Sequence, residues 1–297
     1  MRYISSKKTF DYKGAKRDRN VSSNNFDFEY IYNNHPEWLL TKEQGQDPKN
    51  KENLVKFQDK YFWYLIDIRN QDFQQWASQQ ILKVVAGDYP NKARSNPDCY
   101  FYTSEHNGIA FDNVTLYPPV EYISRDEWAD GFINYLSRIK NSLNENNYIL
   151  IANVVGIPVS RQDIWERFFD SVDGFLVEQS FGRANQDTNY EFKPYEGETW
   201  QKWLNLFEKA LSKGKIVLFG YATCWPDKNE NCDFEKMKKS ALYNYASYLL
   251  IKTEKNALFS DSPLINRNAL NERFWPKEFD LDLGAPLDEK SKKIIFG

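Results

Sequence analysis

The chain has 297 residues, with 39 basic and 42 acidic side chains and a formal net charge of −3. This near balance argues against a nucleic-acid-binding protein, which would show an excess of clustered basic charge. No stretch approaches the roughly 18 consecutive apolar residues of a membrane-spanning helix, so we expect no membrane association. The length suits a single α/β domain, and we expect one domain over residues 1–297.

Histidine and glycine usage excludes several classes of enzyme. The chain has only two histidines, His35 and His106, and no G-x-S-x-G sequence, which argues against a Ser-His-Asp hydrolase. Two histidines also fall short of the ligand set that a barrel metallohydrolase usually needs. None of the 13 glycines forms a nucleotide-binding fingerprint. We therefore expect no metal and no other cofactor.

The segment Met1–Lys8 lacks the apolar core of a signal peptide. The sequence as it stands therefore predicts a cytoplasmic protein. A parent sequence that begins earlier would allow secretion instead, so the compartment stays open.

Short apolar runs recur along the whole chain and predict β-strands. Their residues are nearly continuously apolar, as in strands that are buried on both faces of a parallel sheet. The runs are Met1–Ser5, Tyr61–Asp67, Gly108–Asn113, Tyr148–Val154, Val172–Glu178, Lys215–Tyr221 and Asn256–Ser260.

Amphipathic stretches with helical spacing separate these runs. They are Asp72–Val85, Arg125–Leu143, Trp200–Leu211 and Lys236–Ile251. Alternating strands and helices predict an α/β fold with a parallel sheet. A doubly wound sheet and a closed barrel both fit, and the missing glycine fingerprint favours a (β/α)8 TIM barrel. About seven strands are recognised where a complete barrel has eight, and the missing one would be the first. Either Met1 lies inside a longer parent sequence, or the barrel is incomplete or is closed by another segment. The polar segment Phe10–Asn53 is predicted to be a long loop over the barrel mouth.

Three acidic residues stand at the ends of predicted strands: Asp67, Asp112 and Glu178. An acid directly after a buried strand is costly unless it has partners or faces a cleft. Glycoside hydrolysis needs two opposed carboxylates, one to protonate the leaving oxygen and one to attack or to activate water. We expect Asp112 and Glu178 to form this pair. Asp67 has an equally good structural interpretation, because Arg69 and Asn70 follow it.

Other candidate residues would bind the sugar. Asn153 and Tyr221 also end predicted strands and could hydrogen-bond a sugar or orient a carboxylate, or serve only as satisfied buried polar groups. Aromatic residues make up 16% of the chain, and Trp38 and Trp225 lie in predicted loops where they could stack on sugar rings. We expect these four residues, together with Asp67, to form the substrate-binding set.

Several motifs resemble those of hypothetical glycosyl hydrolase family 15, which is distantly similar to endo-α-1,4-polygalactosaminidase-like barrels. The matching segments are His35-Pro-Glu-Trp-Leu-Leu40 with Gly45, Asp67-Ile-Arg-Asn70 with Phe73 and Trp76, Gly108-Ile-Ala-Phe-Asp-Asn-Val114, Asn153, Asp173-Gly174 with Glu178, and Leu283-Gly-Ala-Pro286. The resemblance covers roughly residues 30–287. It implies a barrel glycosidase whose catalytic pair is Asp112 and Glu178.

The sequence therefore predicts a glycoside hydrolase that cleaves O-glycosidic bonds of a polysaccharide or oligosaccharide. Asp112 would be the nucleophile or base and Glu178 the general acid, because the longer Glu side chain reaches further, although the reverse assignment stays open. The alternatives are a carbohydrate-binding barrel without catalysis and a truncated, inactive glycosidase. The sequence does not identify the sugar, the linkage or the oligomeric state.

Overall fold

The computed structural model describes residues 2–5, 8–10, 26–56, 63–86, 107–155, 159–184, 186–220, 233–253, 255–259 and 277–281. The chain divides into two compact units, Met1–Phe175 and Leu176–Gly297. The sequence predicts that residues 1–297 form one domain, and this stays a prediction.

The first unit contains six complete strands and four α-helices among its described residues. The strands are β1 (Arg2–Ser5), β2 (Lys8–Phe10), β3 (Phe26–Asp27), β4 (Trp63–Leu65), β5 (Gly108–Thr115) and β6 (Ile149–Val155). The helices are α1 (Phe28–Asn34), α2 (Gln71–Ala86), α3 (Arg125–Asn144) and α4 (Gln162–Ser171). Strand β7 (Gly174–Val177) begins in the first unit and ends in the second.

Strands β1, β5 and β6 lie side by side in that order and run parallel. Ile4 is opposite Phe111 across the first pair, and Phe111 is opposite Ala152 across the second. Helix α3 connects β5 to β6, as a parallel pair requires. These strands coincide with three of the apolar runs, so the prediction of a parallel sheet is confirmed here.

The prediction for Tyr61–Asp67 was wrong in its pairing. Strand β4 does form within this run, but it belongs to a separate three-stranded sheet with the order β3-β2-β4. There it runs antiparallel to β2, with Trp63 opposite Phe10. A continuous apolar run shows that a strand is buried but does not say in which direction its neighbour runs.

The prediction of a long loop over Phe10–Asn53 was also wrong for the described part of this segment. It contains β3, α1 and the two short 3-10 helices Pro36–Trp38 and Lys51–Asn53. Several of its apolar side chains are fully or nearly fully buried: Phe28, Ile31, Trp38, Leu39 and Leu40. These apolar residues are too few and too scattered among polar ones to produce a recognisable period.

Helix α3 shows how local signals and packing agree. Ser124 precedes the helix, and its hydroxyl accepts a hydrogen bond from the Glu127 backbone N–H at 3.1 Å. The apolar stripe predicted from the sequence is fully buried: Trp128, Phe132, Tyr135, Leu136 and Ile139. Burial raises the pKa of the Tyr135 hydroxyl, because the ionised form would lose its hydration.

The second unit repeats the alternation of strands and helices. Its further elements are β8 (Gly182–Arg183), β9 (Lys193–Pro194), α5 (Gly197–Ser212), β10 (Ile216–Phe219), α6 (Phe234–Leu249), β11 (Ala257–Phe259) and the 3-10 helices Gln186–Thr188 and Lys277–Asp280. Strand β10 lies next to β7 and pairs in parallel with β11. Strands β8 and β9 form a small antiparallel hairpin in the connection from β7 to α5.

The fold is therefore α/β, with parallel strands and helices between them, as the sequence predicts. A closed eight-stranded barrel stays a prediction. Over the part of the chain that the structure describes, no helix is both long and apolar enough to cross a membrane. In the same residues, no group of three or more His, Cys, Asp and Glu side chains is placed to hold a metal ion.

We expect Gly108→Ala to weaken the pairing of β5 with β6. A Cβ atom at this position would lie 2.3 Å from the Ile149 carbonyl oxygen, so one of the two strands must shift. The substitution should lower the free energy of unfolding by about 1–3 kcal/mol, measured by urea denaturation. Asn107→Ala, whose side chain is exposed beside it, should stay within about 0.5 kcal/mol of wild type. Equal stability of the two variants would contradict this close approach.

Candidate functional site

Asp112 lies at a β-bulge in β5. Phe111 is opposite Ala152 of β6, and the next partners are Val114 and Val154. Two residues of β5, Asp112 and Asn113, therefore face the single residue Asn153. A bulge of this kind bends the strand and redirects its side chains, and bulges are frequent next to active sites.

Asn153 donates a hydrogen bond to Asp112 across this bulge. Its Nδ2 atom lies 3.1 Å from Asp112 Oδ1. Asn153 is only 1% exposed, whereas Asp112 is half-buried. An ionised carboxylate only accepts hydrogen bonds, so an amide N–H is the matching neighbour. The arrangement fixes the orientation of Asp112 through a buried side chain on the adjacent strand.

Glu178 follows β7 in a tightly built turn of the second unit. The Ser180 backbone N–H donates to the Gly220 carbonyl at 3.1 Å, and the Gly220 N–H donates to the Val177 carbonyl at 3.0 Å. The Ser180 hydroxyl also donates to the Val177 carbonyl, at 2.8 Å. These bonds hold the backbone on both sides of Glu178, whose side chain is half-buried.

Gly220 is a residue of this turn that the sequence interpretation missed. A Cβ atom at this position would lie 2.9 Å from the Glu178 Cα atom and 3.0 Å from the Val177 carbonyl oxygen. Only glycine allows the two segments to approach so closely. The signal was present in the sequence, because Gly220 interrupts the end of an otherwise apolar run.

Asp67 is bound by Arg69. The guanidinium Nε and Nη2 atoms donate to Asp67 Oδ1 and Oδ2, each at 2.8 Å. This hydrogen bond to Asp67 is the largest effect that raises the pKa of Arg69, which also pairs with Glu127. Asp67 follows β4, which is an antiparallel strand of the separate sheet and not a strand of the parallel sheet, contrary to expectation. Its role as a sugar ligand stays a prediction.

Trp38 is part of the core rather than of an exposed loop. It ends the short helix Pro36–Trp38 and is 3% exposed. Its ring lies parallel to His35, with 3.9 Å between centroids and 4° between planes. Phe73 and Trp76 also contact it. The expected stacking of a sugar on Trp38 does not fit this burial.

The other two predicted sugar-binding residues, Tyr221 and Trp225, lie outside the described residues. Their roles stay predictions. The first unit therefore brings together Asp112 and Asn153 from the predicted set, and the second unit presents Glu178.

The first unit also has an open cavity of about 560 Å³ that the sequence interpretation did not anticipate. One wall belongs to the loop between β5 and α3, and the other belongs to segment 42–55. The sequence signal for this cavity was weak, because turn residues such as Pro118 and Pro119 indicate a loop but not which segment lies opposite that loop.

No family model matches the chain, and no curated protein matches it. The chain is similar to the glycoside hydrolase domain of PelA from Pseudomonas aeruginosa, with 9% identity over 75% of this chain and 66% of that one, at a TM-score of 0.39. It is also similar to Ega3 of Aspergillus fumigatus, solved with galactosamine, with 11% identity over 74% and 69% of the chains and a TM-score of 0.37.

A third similar structure is catalytic domain 2 of a group II chitinase from Ostrinia furnacalis. It shows 10% identity over 52% of this chain and 39% of that chain, at a TM-score of 0.30. The chain spans about two thirds of the PelA domain.

We expect Asn153→Asp to make stability depend on pH. It would place a second carboxylate about 3.1 Å from Asp112 Oδ1 in a buried position, where both groups cannot ionise together. A carboxyl group whose pKa is raised on folding makes the variant less stable at pH values above the pKa that the group has in the unfolded chain. Its stability relative to wild type should therefore fall as pH rises above about 4, by about 1.4 kcal/mol for each unit of pKa elevation.

Thermal unfolding between pH 4 and pH 8 measures this effect. Asn146→Asp makes the same chemical change at an exposed position and is the matched control. A difference between Asn153→Asp and wild type that does not change with pH would contradict the contact with Asp112.

Proposed function

We propose that the chain hydrolyses O-glycosidic bonds of a polysaccharide through two carboxylates, Asp112 and Glu178. The observation that carries this proposal is the half-buried Asp112 on a β-bulge, oriented by the buried amide of Asn153. Regular strand pairing requires neither a bulge at Asp112 nor a buried side chain that donates a hydrogen bond to its carboxylate. Both features are expected where the direction of one side chain matters.

Asp112 acts as the nucleophile or as the base that activates water. Either role needs an ionised carboxylate with a fixed direction. Asn153 Nδ2 donates to Asp112 Oδ1 and thereby limits the directions in which the carboxylate can face the anomeric carbon or a water molecule. The amide keeps the attacking oxygen within a narrow range of angles, which lowers the entropic part of the barrier.

Glu178 acts as the general acid. It must carry a proton to the leaving glycosidic oxygen and be returned to the protonated state in each cycle. The turn that holds it is rigid, because Val177, Ser180 and Gly220 exchange three hydrogen bonds around it. A rigid turn with a partly exposed side chain suits a group that must meet both substrate and water.

We propose that the chain is related to hypothetical glycosyl hydrolase family 15, on the motifs around Asp112, Asn153 and Glu178. Tyr221, Trp225 and Asp67 are proposed to contact the sugar, and the ion pair with Arg69 would orient Asp67. No cofactor is required for this reaction, since two carboxylates supply both the acid and the base or nucleophile.

We expect Asp112→Asn and Glu178→Gln each to reduce the release of reducing ends from a polysaccharide panel by at least about a thousandfold, because each removes an essential group. The panel contains neutral, amino-sugar and uronic-acid polymers. Asp187→Asn, an exposed acid in the connection that follows Glu178, should keep wild-type activity. Circular dichroism of all variants checks that they are folded.

Two results would contradict the proposal. One is wild-type activity in a folded Asp112→Asn or Glu178→Gln variant. The other is the absence of cleavage by the wild type on every polymer; if some polymers nevertheless bind, a carbohydrate-binding protein without catalysis would replace the proposal.

Asn153→Ala should lower kcat by roughly tenfold to a hundredfold with little change in KM, because it disorients Asp112 without touching the substrate. Steady-state kinetics on the active polymer measure both constants. A large rise in KM with unchanged kcat would instead make Asn153 a substrate-binding residue.

A further inference from the structure

We propose that the cavity of about 560 Å³ in the first unit is a subsite for the chain of a non-acidic glycan, held away from the bond that is cut. The inference rests on the proposed function and names part of its substrate. The volume of the cavity falls in the range of roughly 300–1,000 Å³ that is usual for ligand sites in proteins.

The position of the cavity follows from β5. The loop that contributes one wall leaves the C-terminal end of this strand, just beyond Asp112, and leads to Ser124 at the start of α3. Active sites of parallel α/β proteins are built from loops at this end of the strands. A polymer bound at Asp112 would extend beyond the reacting residues, and the loop is the adjacent element of the chain.

The lining combines the two surfaces that a sugar ring presents. Val55, Pro119, Val120 and the ring of Tyr122 give apolar surface, which suits the C–H faces of a pyranose. The polar part consists of Lys42, Glu43, Gln44 and Glu121. It supplies both donors and acceptors, as a ligand with many hydroxyl groups requires.

The charges in the cavity disfavour an acidic chain. Two glutamates and one lysine line it, and Glu43, Glu121 and Lys42 are all exposed. A uronic-acid polymer would bring a carboxylate on every residue toward this excess of negative charge. Exposed charges are screened within about 10 Å at moderate salt, so this repulsion acts only on groups inside the cavity.

Tyr122 is held in place before any ligand arrives. Its hydroxyl donates to the Thr41 carbonyl oxygen at 2.9 Å and thereby joins the two walls. The opposite wall is itself a short antiparallel ladder, in which Thr41 pairs with Leu54 and the Lys42 N–H donates to the Asn53 carbonyl at 2.8 Å. A ring that is already fixed loses little entropy when a sugar packs on it.

The test uses the full chain with Asp112→Asn, so that bound glycans are not cut. The labelled protein is applied to an array of neutral, amino-sugar and uronic-acid oligosaccharides of two to eight units, and affinities for the bound ones are measured by calorimetry. Neutral and amino-sugar oligosaccharides should bind better than uronic-acid oligosaccharides. Adding Tyr122→Ala should weaken their binding about tenfold, which is about 1.4 kcal/mol.

Two further variants distinguish the contribution of the Tyr122 ring to binding from that of the loop that carries it. Tyr122→Phe keeps the ring, removes only the bond to Thr41 and should retain most of the affinity. Tyr117→Ala removes a tyrosine of the same loop whose ring lies 4.6 Å from the Arg125 guanidinium carbon, outside the cavity, and should bind as the parent does. Equal losses for Tyr117→Ala and Tyr122→Ala would overturn the subsite, as would a preference for uronic acids or no binding to the array.

The failure of the subsite and the failure of the hydrolase proposal give different results. If the wild type cuts a polymer and Tyr122→Ala leaves its kcat and KM unchanged, the subsite is wrong and hydrolysis stands. If non-acidic glycans bind through Tyr122 while the wild type cuts nothing, the subsite is supported and hydrolysis is wrong.

Discussion

Two residues of β5, Asp112 and Asn113, are opposite one residue of β6, Asn153, and this mismatch is the constraint on which the candidate site depends. A regular ladder would have given each residue its own partner. The bulge instead places the Asp112 carboxylate 3.1 Å from the amide nitrogen of a residue that is 1% exposed. The flanking pairs stay apolar and buried, so the sheet continues on both sides of the irregularity and holds it in place.

The strands of the parallel sheet could be predicted because burial on both faces produces continuous apolar runs, and residues 108–111 of β5 and 149–152 of β6 form such runs. The run Tyr61–Asp67 looks the same but forms an antiparallel strand in another sheet. Which strands become neighbours depends on long-range pairing, which a local pattern does not contain. Helix α4 was not predicted, although four of its apolar residues have helical spacing and are buried: Ile164, Trp165, Phe168 and Phe169.

The sequence predicts Asp112 and Glu178 as site residues because each comes at the end of an apolar run, where a carboxylate needs a reason to be present. Their catalytic role stays a prediction, and the structure places Asp112 within β5 rather than after it. The sequence did not show that Asp112 lies on a bulge, because register depends on the neighbouring strand. Nor did it show that Trp38 is core or that both Asp67 oxygens bind Arg69.

Incubation of the polysaccharide panel with wild type in water enriched in the heavy oxygen isotope tests the central claim most directly, because hydrolysis must place one oxygen of water on each new reducing end. We predict fragments that carry one heavy oxygen each, detected by mass spectrometry, and none with Asp112→Asn. Fragments without the isotope, or with an unsaturated end, would show that the bond is cut by elimination and would contradict the account.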